Sequence, residues 1–424
     1  MSNYKPYPAY KDSEGEWLGK VPEHWKVIPL KYNLKLVGDR ASSREFAIAL
    51  ENIESWTGKF IQTNSDFEGD GIAFKNGDIL FGKLRPYLAK VYLADSKGEA
   101  VGDFFVIRPT KKIYPRFAQY QILSEEFIKN IDGSTYGAMM PRVNWEFFGD
   151  MPFSTPDFDE QRIIATFLDC ETARIDALTS KKSRFIELLR EKRQALITQA
   201  VTRGLNPTVN MKDSGVEWLG EVPEHWDVKE IKYFTEVLRG KFTHRPRNDP
   251  AFYGGEYPFI QTGDITGTSR YITEFKQTLN YRGAAVSKEF PAGTLVMAIA
   301  ANIGDVAVLN FSAYFPDSVV GLVPNKKTDL MFLFYLMRSM KHIMLMAATI
   351  STQLNLNMDQ IVSLIAAQPP IEEQLHIVKF LDRETTRIDS LISKTQHSIN
   401  LLKERRAALI TAAVTGQIDV RNTA

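Results

Sequence analysis

The sequence predicts an α+β protein in which two pseudo-twofold-related α+β domains are separated by two long antiparallel coiled-coil helices. Three observations carry this. Two motifs each occur twice, one of them sustains a seven-residue apolar register, and the strand-rich blocks between the copies have diverged.

The first repeat sits at the head of each half. Lys11–Trp25, KDSEGEWLGKVPEHW, returns as Lys212–Trp226, KDSGVEWLGEVPEHW, with 12 of 15 positions identical. The second is longer: Pro156–Leu205 returns without a gap as Pro369–Ile418, with 27 of 50 positions identical. Residues 26–155 and 227–368 show no such gapless match beyond their first few positions. A duplication has therefore kept two elements and let two blocks diverge, so something common is used twice and something different is read twice.

The 50-residue repeat reads as a helix. Leu381, Ile388, Thr395, Leu402 and Leu409 lie on one seven-residue register, widened by Ile377, Leu391, Ile392 and Ile399. Leu168, Ile175, Leu189 and Leu196 match them in the first copy, with Lys182 interrupting. Apolar spacing of three and four without Pro or Gly is a coiled-coil pattern. Pro156 and Pro369 precede the two copies, and Gly204 and Gly416 follow them, as helix ends prefer. At about 1.5 Å per residue, roughly 43 residues make a rod of about 65 Å. The first rod must hand the chain to the second block before the other returns it, so the rods are expected to pair antiparallel.

The diverged blocks read as α+β. Residues 75–95 and 102–109 give turn signals followed by apolar runs, and 291–310 is the counterpart in the second block. Lys111–Asn130 and Leu330–Ala348 read as one helix each. The paired tryptophans of the head motif, Trp17 with Trp25 and Trp218 with Trp226, read as an aromatic latch holding each block to a rod end.

Composition narrows the function. The chain has 424 residues, 44% of them hydrophobic, enough for ordinary cores and two to three domains. It holds no run of about 18 uncharged apolar residues and no secretory pattern at its start, so no membrane association is expected. One cysteine, Cys170, excludes an internal disulfide framework and fits a cytoplasmic location. The net charge of +1 conceals local excess. Residues 75–116 carry nine Lys and Arg against four acids, and 239–247 carries Arg239, Lys241, Arg245 and Arg247 with none, which suits contact with nucleic acid.

Catalytic chemistry is missing. There is no G-x-x-x-x-G-K-[ST] loop for a nucleotide motor and no Gly-rich turn placed for a methyl donor. The six histidines show no metal-ligand spacing. No catalytic residue, metal or cofactor is expected.

Three motifs resemble a family. W-L-G-x-V-P-E-H-W heads each half, G-D-I-L-F-G-K-L-R-P-Y-L-A-K occupies 77–90, and E-Q-x-x-I-x-x-F-L-D-x-E-T-x-R-I-D occupies 160–176 and 373–389. Together they resemble the specificity subunits of type I restriction-modification systems over nearly the whole chain. The resemblance implies a coiled-coil scaffold and two target-recognition domains, each reading one half of a split, asymmetric site on double-stranded DNA. It further implies two docked methyltransferase subunits, through which motor-nuclease subunits join. The expected division is 1–155 target-recognition domain 1, 156–205 central spacer helix, 206–368 target-recognition domain 2 and 369–424 C-terminal spacer helix. The second block departs from the pattern, with A-N-I-G-D-V-A-V at 301–308 where K-L-R-P-Y is expected. The alternative is a stand-alone bipartite DNA-binding regulator, which would bind its site without a methyltransferase partner.

Residue chemistry assigns the DNA-binding candidates, since Arg, Asn and Gln suit base edges and Lys, Ser and Thr suit phosphates. They are Lys83, Arg85, Tyr87 and Lys90 in the first block, and Arg245, Arg247, Gln261, Thr262, Asn302, Ser351, Thr352 and Gln353 in the second. Twin partners need the same surface twice. Arg174, Asp176, Arg387 and Asp389, off the apolar stripe of each helix, are the partner-binding candidates.

Overall fold

A computed structural model describes all residues except 1–3, 16, 42–45, 64–70, 138–139, 351–353 and 422–424. The central helix spans Phe158–Arg203 and the terminal helix Ile371–Val414. Asp157 starts the central helix by accepting the Glu160 N–H at 2.8 Å, satisfying one of the free donors of the first turn. Gly204 and Gly416 end the helices with φ of 74° and 73°, the left-handed conformation that favours glycine.

The register is largely as expected. Leu168, Ile175, Leu189, Leu381, Ile388 and Leu409 are buried. Leu391 is not: it is 39% exposed and lies off the seam that it was expected to widen.

The chain divides into two compact units, Met1–Arg184 with Thr395–Ala424, and Phe185–Lys394. The divisions cut through both long helices rather than at their ends, because the apolar stripe of each half-helix is buried within its own unit. In the first unit Glu160 lies beside Arg421, just past the terminal helix, and Asp176 pairs with Arg406. In the second, Asp389 pairs with Arg193, and Glu373 lies beside Gly204. Rising numbers on one helix meet falling numbers on the other, so the segments run antiparallel in both.

The first unit carries a four-stranded antiparallel sheet in the order Leu34–Val37, Phe104–Pro109, Ile79–Gly82, Val91–Leu93. A three-stranded sheet of Ala47–Ile48, Gly98–Ala100 and Ile72–Phe74 adjoins its own small core. Where one helix was expected over Lys111–Asn130 there are two, Pro115–Ile122 and Glu125–Gly133. The break falls at Ser124, whose hydroxyl donates to the Gln121 carbonyl at 2.7 Å and so caps the end of the first helix.

The second unit repeats the plan with additions. Its five-stranded sheet runs Thr235–Arg239, Val319–Pro324, Leu295–Ala298, Val306–Leu309, Tyr271–Ile272. A separate four-stranded sheet is built from Gln277–Leu279, Tyr253–Phe259, Ala313–Phe315 and Lys288–Phe290. The expected Leu330–Ala348 helix is likewise two, Leu330–Ser339 and Lys341–Ala347, bent by 55°. Ser339 makes the bond of Ser124 over again, donating to the Leu336 carbonyl at 2.7 Å. Among the described residues no single helix is long and apolar enough to cross a membrane.

Candidate nucleic-acid interface

Each diverged domain is fastened to its long helices by the same contacts. Glu160, buried on the central helix, accepts from Trp25 Nε1 at 3.2 Å and Tyr7 Oη at 2.8 Å, and meets His24 Nε2 at 2.8 Å. Glu373 on the terminal helix accepts from Trp226 Nε1 at 3.1 Å and meets His225 Nε2 at 2.9 Å. The head-motif histidines thus belong to scaffold pairs. A Cβ on Gly416 would lie 3.3 Å from the Trp25 ring, and one on Gly204 3.2 Å from the Trp226 ring, so the helix ends abut the tryptophans.

Two further contacts recur. Gln161 accepts from Tyr114 N at 2.8 Å and donates to the Lys112 and Pro156 carbonyls, while Gln374 accepts from Asp329 N at 2.8 Å and donates to the Lys327 and Pro369 carbonyls. Tyr120 Oη donates to Asp169 at 2.7 Å, and Tyr335 Oη to Asp382 at 2.6 Å. Burial raises the Tyr120 hydroxyl pKa to about 12 and also raises that of Tyr335.

From this common frame each domain presents one equivalent loop pair. In the first, Leu84 bridges Arg142, and Val143 N donates to the Lys83 carbonyl at 3.1 Å. In the second, Ala300 bridges Asn355, and Leu356 N donates to the Ile299 carbonyl at 3.0 Å. Arg85 (φ 50°) and Ala301 (φ 62°) follow the bridged residues, both in the left-handed region. The counterpart of K-L-R-P-Y is therefore the 299–303 segment, which places Asn302 on the same loop. Left-handed backbone at a non-glycine residue is costly and is held only where the surroundings enforce it.

The charged candidates of the first domain divide on this loop. Arg85 and Tyr87 are exposed, and Lys83 lies 3.8 Å from Asp103. Lys90 differs from its expected role: Nζ donates to the Leu50 carbonyl at 2.6 Å, and burial lowers its pKa, so its charge is engaged inside the domain. Sequence reasoning missed Arg142, which donates through Nη2 to Asp103 at 2.8 Å while its side chain stays 44% exposed.

In the second domain Asn302 and Gln261 are exposed and Thr262 half-buried. Gln261 also donates to Gln277. Arg245 and Arg247 converge on Asp317 at 3.3 and 2.6 Å. They lie on a different segment from the 299–303 loop. Ser351, Thr352 and Gln353 fall outside the described residues.

Comparison with known proteins bears on what this duplicated frame is. The family model for the type I restriction modification DNA specificity domain matches residues 223–401. The putative type I restriction enzyme MjaX specificity subunit of Methanocaldococcus jannaschii is 23% identical, over 95% of this chain and 96% of its own length. The chain is similar along nearly its whole length to the specificity subunits of type I restriction-modification systems.

The EcoKI specificity subunit of Escherichia coli is 19% identical over 94% of this chain and 90% of its own length. Solved structures share the fold. The HsdS subunit from Thermoanaerobacter tengcongensis matches with a TM-score of 0.55 at 17% identity, covering 94% of this chain and 98% of that one. A chain solved in work on complex assembly and conformational transition of the type I R-M system matches with a TM-score of 0.76 at 17% identity, covering 93% and 98%. Like the specificity subunits that it resembles, the chain is a recognition component and not a catalytic one. Among the described residues no group of three or more His, Cys, Asp or Glu could hold a metal ion.

The four partner-binding candidates of the subunit fall into two kinds. Arg174 and Arg387 are exposed, and Arg174 meets Glu171 on its own helix at 3.3 Å. Asp176 and Asp389 instead tie the two long helices together, to Arg406 at 3.0 Å and Arg193 at 3.4 Å. Beside them the long helices expose apolar residues at matched places in both copies: Phe158 and Ile371, Leu178 and Leu391, Leu188 and Leu401.

Proposed function

We propose that this specificity subunit reads a bipartite, asymmetric site on double-stranded DNA, one half through each target-recognition domain (1–155 and 206–368), in the cytoplasm. The helices 156–205 and 369–424 dock two methyltransferase subunits, through which motor-nuclease subunits join, and set the gap between the half-sites. The observation that carries this reading is the equivalence of the Arg85 and Ala301 loops: one backbone frame, fastened by the same scaffold contacts, presents Arg85, Tyr87 and Arg142 in one domain and Asn302 and Asn355 in the other. An unchanged frame with changed side chains is what two readers of unlike half-sites require. The matched exposed residues of the long helices supply the same surface twice, as twin partners need.

The test is a methylome comparison between cells with and without the subunit. A split motif that vanishes with the gene supports the reading, and an unchanged methylome refutes it. For docking, Arg174→Glu and Arg387→Glu should each loosen co-purification of the methyltransferase while leaving the fold intact. For the gap, four residues inserted after Lys182 should change the spacing between half-sites and leave both half-site sequences alone.

A further inference from the structure

Each unit carries a cleft where the end of the helix that bears Tyr120 or Tyr335 meets a long helix. In the first unit the cleft is bridged by the chain itself. Arg406 donates to Asp176 and also to the Trp56 carbonyl at 3.0 Å, and Lys59 reaches Asp176 at 2.7 Å. Leu123, three residues after Tyr120, lines it.

In the second unit the corresponding position, three residues after Tyr335, is Arg338. It lines a cavity of about 550 Å³ together with Thr266, Thr268, Asp305, Lys341 and His342. Arg338 donates to the Ser269 carbonyl at 3.2 Å and lies 5.3 Å from the Phe334 ring centre; among the described residues it has no ion-pair partner. Arg193, the counterpart of Arg406, adds a like charge close by, and its buried Nε has no hydrogen-bond partner among the described residues. The acids nearby are already paired, Asp305 to Lys341 at 2.5 Å and Asp389 to Arg193 at 3.4 Å. Burial, and after it the Arg193 charge, holds the Arg338 pKa below the usual arginine range.

We propose that this cavity of the second unit is a binding site for a phosphate group, with Arg338 as its principal cation and the ion-paired Arg193 and Lys341 beside it. A guanidinium presents paired N–H donors that match phosphate geometry, and Arg338 is the cation of this cavity left without an ion-pair partner among the described residues. The phosphate can belong to a free ligand or to the DNA backbone, and two arms separate these sources.

The first arm titrates the purified full chain with inorganic phosphate and pyrophosphate at constant ionic strength, by calorimetry. The second measures how DNA affinity depends on salt. Arg338→Leu installs the residue that the first unit carries at the same place, and Arg338→Gln is a second variant should the first not fold. A tenfold or greater loss of phosphate or pyrophosphate affinity in the variant supports the site with a free ligand. Unchanged behaviour toward both anions with a salt slope flattened by about one unit supports it with the DNA backbone. The proposal is overturned if neither quantity changes, including the case where only methyltransferase co-purification is lost, which would make the cavity a protein-docking surface. The first arm does not involve DNA, so its outcome is independent of whether the bipartite reading holds.

Discussion

Arg406 and Asp176 join the two long helices of the first unit through a 3.0 Å ion pair whose side chains are only 12% and 19% exposed. Arg193 and Asp389 repeat it in the second unit at 3.4 Å, with Asp389 50% exposed. Breaking a mostly buried pair leaves a charge without its partner, which costs about 3–5 kcal/mol in a dry interior, whereas an exposed pair contributes about 0–1 kcal/mol. Lys59 also holds Asp176 and softens the first case. Asp176→Ala is therefore expected to destabilise its unit by about 2–4 kcal/mol, and Asp389→Ala by less than about 1 kcal/mol. Hydrogen exchange along 395–414 should accelerate in the first variant. The exchanged pair Asp176→Arg with Arg406→Asp should recover part of the loss; no recovery would mean that the pair is not what couples the helices.

Glu160 leads to a second asymmetry. It is buried and serves the buried Trp25 and Tyr7 as well as the partly exposed His24, so Glu160→Ala strands two buried donors, at about 1–3 kcal/mol each where water cannot replace the acceptor. Glu373, 29% exposed, serves Trp226 and His225 with water at hand. Denaturant unfolding should show the larger midpoint shift for Glu160→Ala. Equal shifts would argue against a burial-dependent role for the latch.

Alkaline stability follows from the tyrosines that fasten the domains. Burial raises the Tyr120 pKa from 10.0 to about 12. A folded-state value above the unfolded one stabilises the neutral form, so the contribution is complete below about pH 10 and fades as pH rises toward 12. Tyr335 shifts in the same direction. The double variant Tyr120→Phe, Tyr335→Phe should lose about 1 kcal/mol per deleted hydrogen bond at neutral pH, yet decline less steeply than the parent between pH 10 and 11. Parallel declines would remove these hydroxyls as the source of the alkaline transition.

The long helices and the duplicated latch were legible in the sequence because both repeats are gapless and Pro156, Gly204, Pro369 and Gly416 mark the ends. The breaks at Ser124 and Ser339 were not, since apolar residues continue across them and a serine hydroxyl bonding back to a carbonyl decides the end. The equivalence of Arg85 and Ala301 was hidden because backbone pairing sets it and no side chain is shared. A signal for Arg142 did exist. The residue offset that relates Pro156 to Pro369 also relates Asn144 to Asn357, and each caps a short helix by accepting the N–H three residues on, at 2.8 Å. Carrying the gapless repeat upstream would have put Arg142 opposite Asn355 and brought the loop into view. Asp176 and Asp389 lay off the apolar stripe and read as free surface, because the cross-helix arginines become visible only when the helices are paired.

The loop of the first domain separates three roles that residue type alone merges. Lys90 is bonded to Leu50 and partly buried, so Lys90→Gln should lower stability and leave the salt slope of DNA binding unchanged. Arg85 is exposed beside the bridged pair, and Arg142 is held by Asp103, which limits the rotamer freedom lost when a guanidinium meets a base edge. A base-reading arginine discriminates against the wrong base by about 1–3 kcal/mol, whereas a phosphate contact weakens all sequences alike and flattens the slope by about one unit. Arg142→Gln is therefore expected to relax one position of the methylated motif in the half-site read by the first domain, leaving the other half-site intact. Asp103→Asn should act at the same position more weakly, because the guanidinium remains but is no longer aimed. Arg85→Ala shows by its signature, one relaxed position or a flatter slope, whether it meets a base or the backbone. If all three variants keep the parental motif, affinity and salt slope, this loop does not touch DNA and the reader of the first half-site lies elsewhere in the domain.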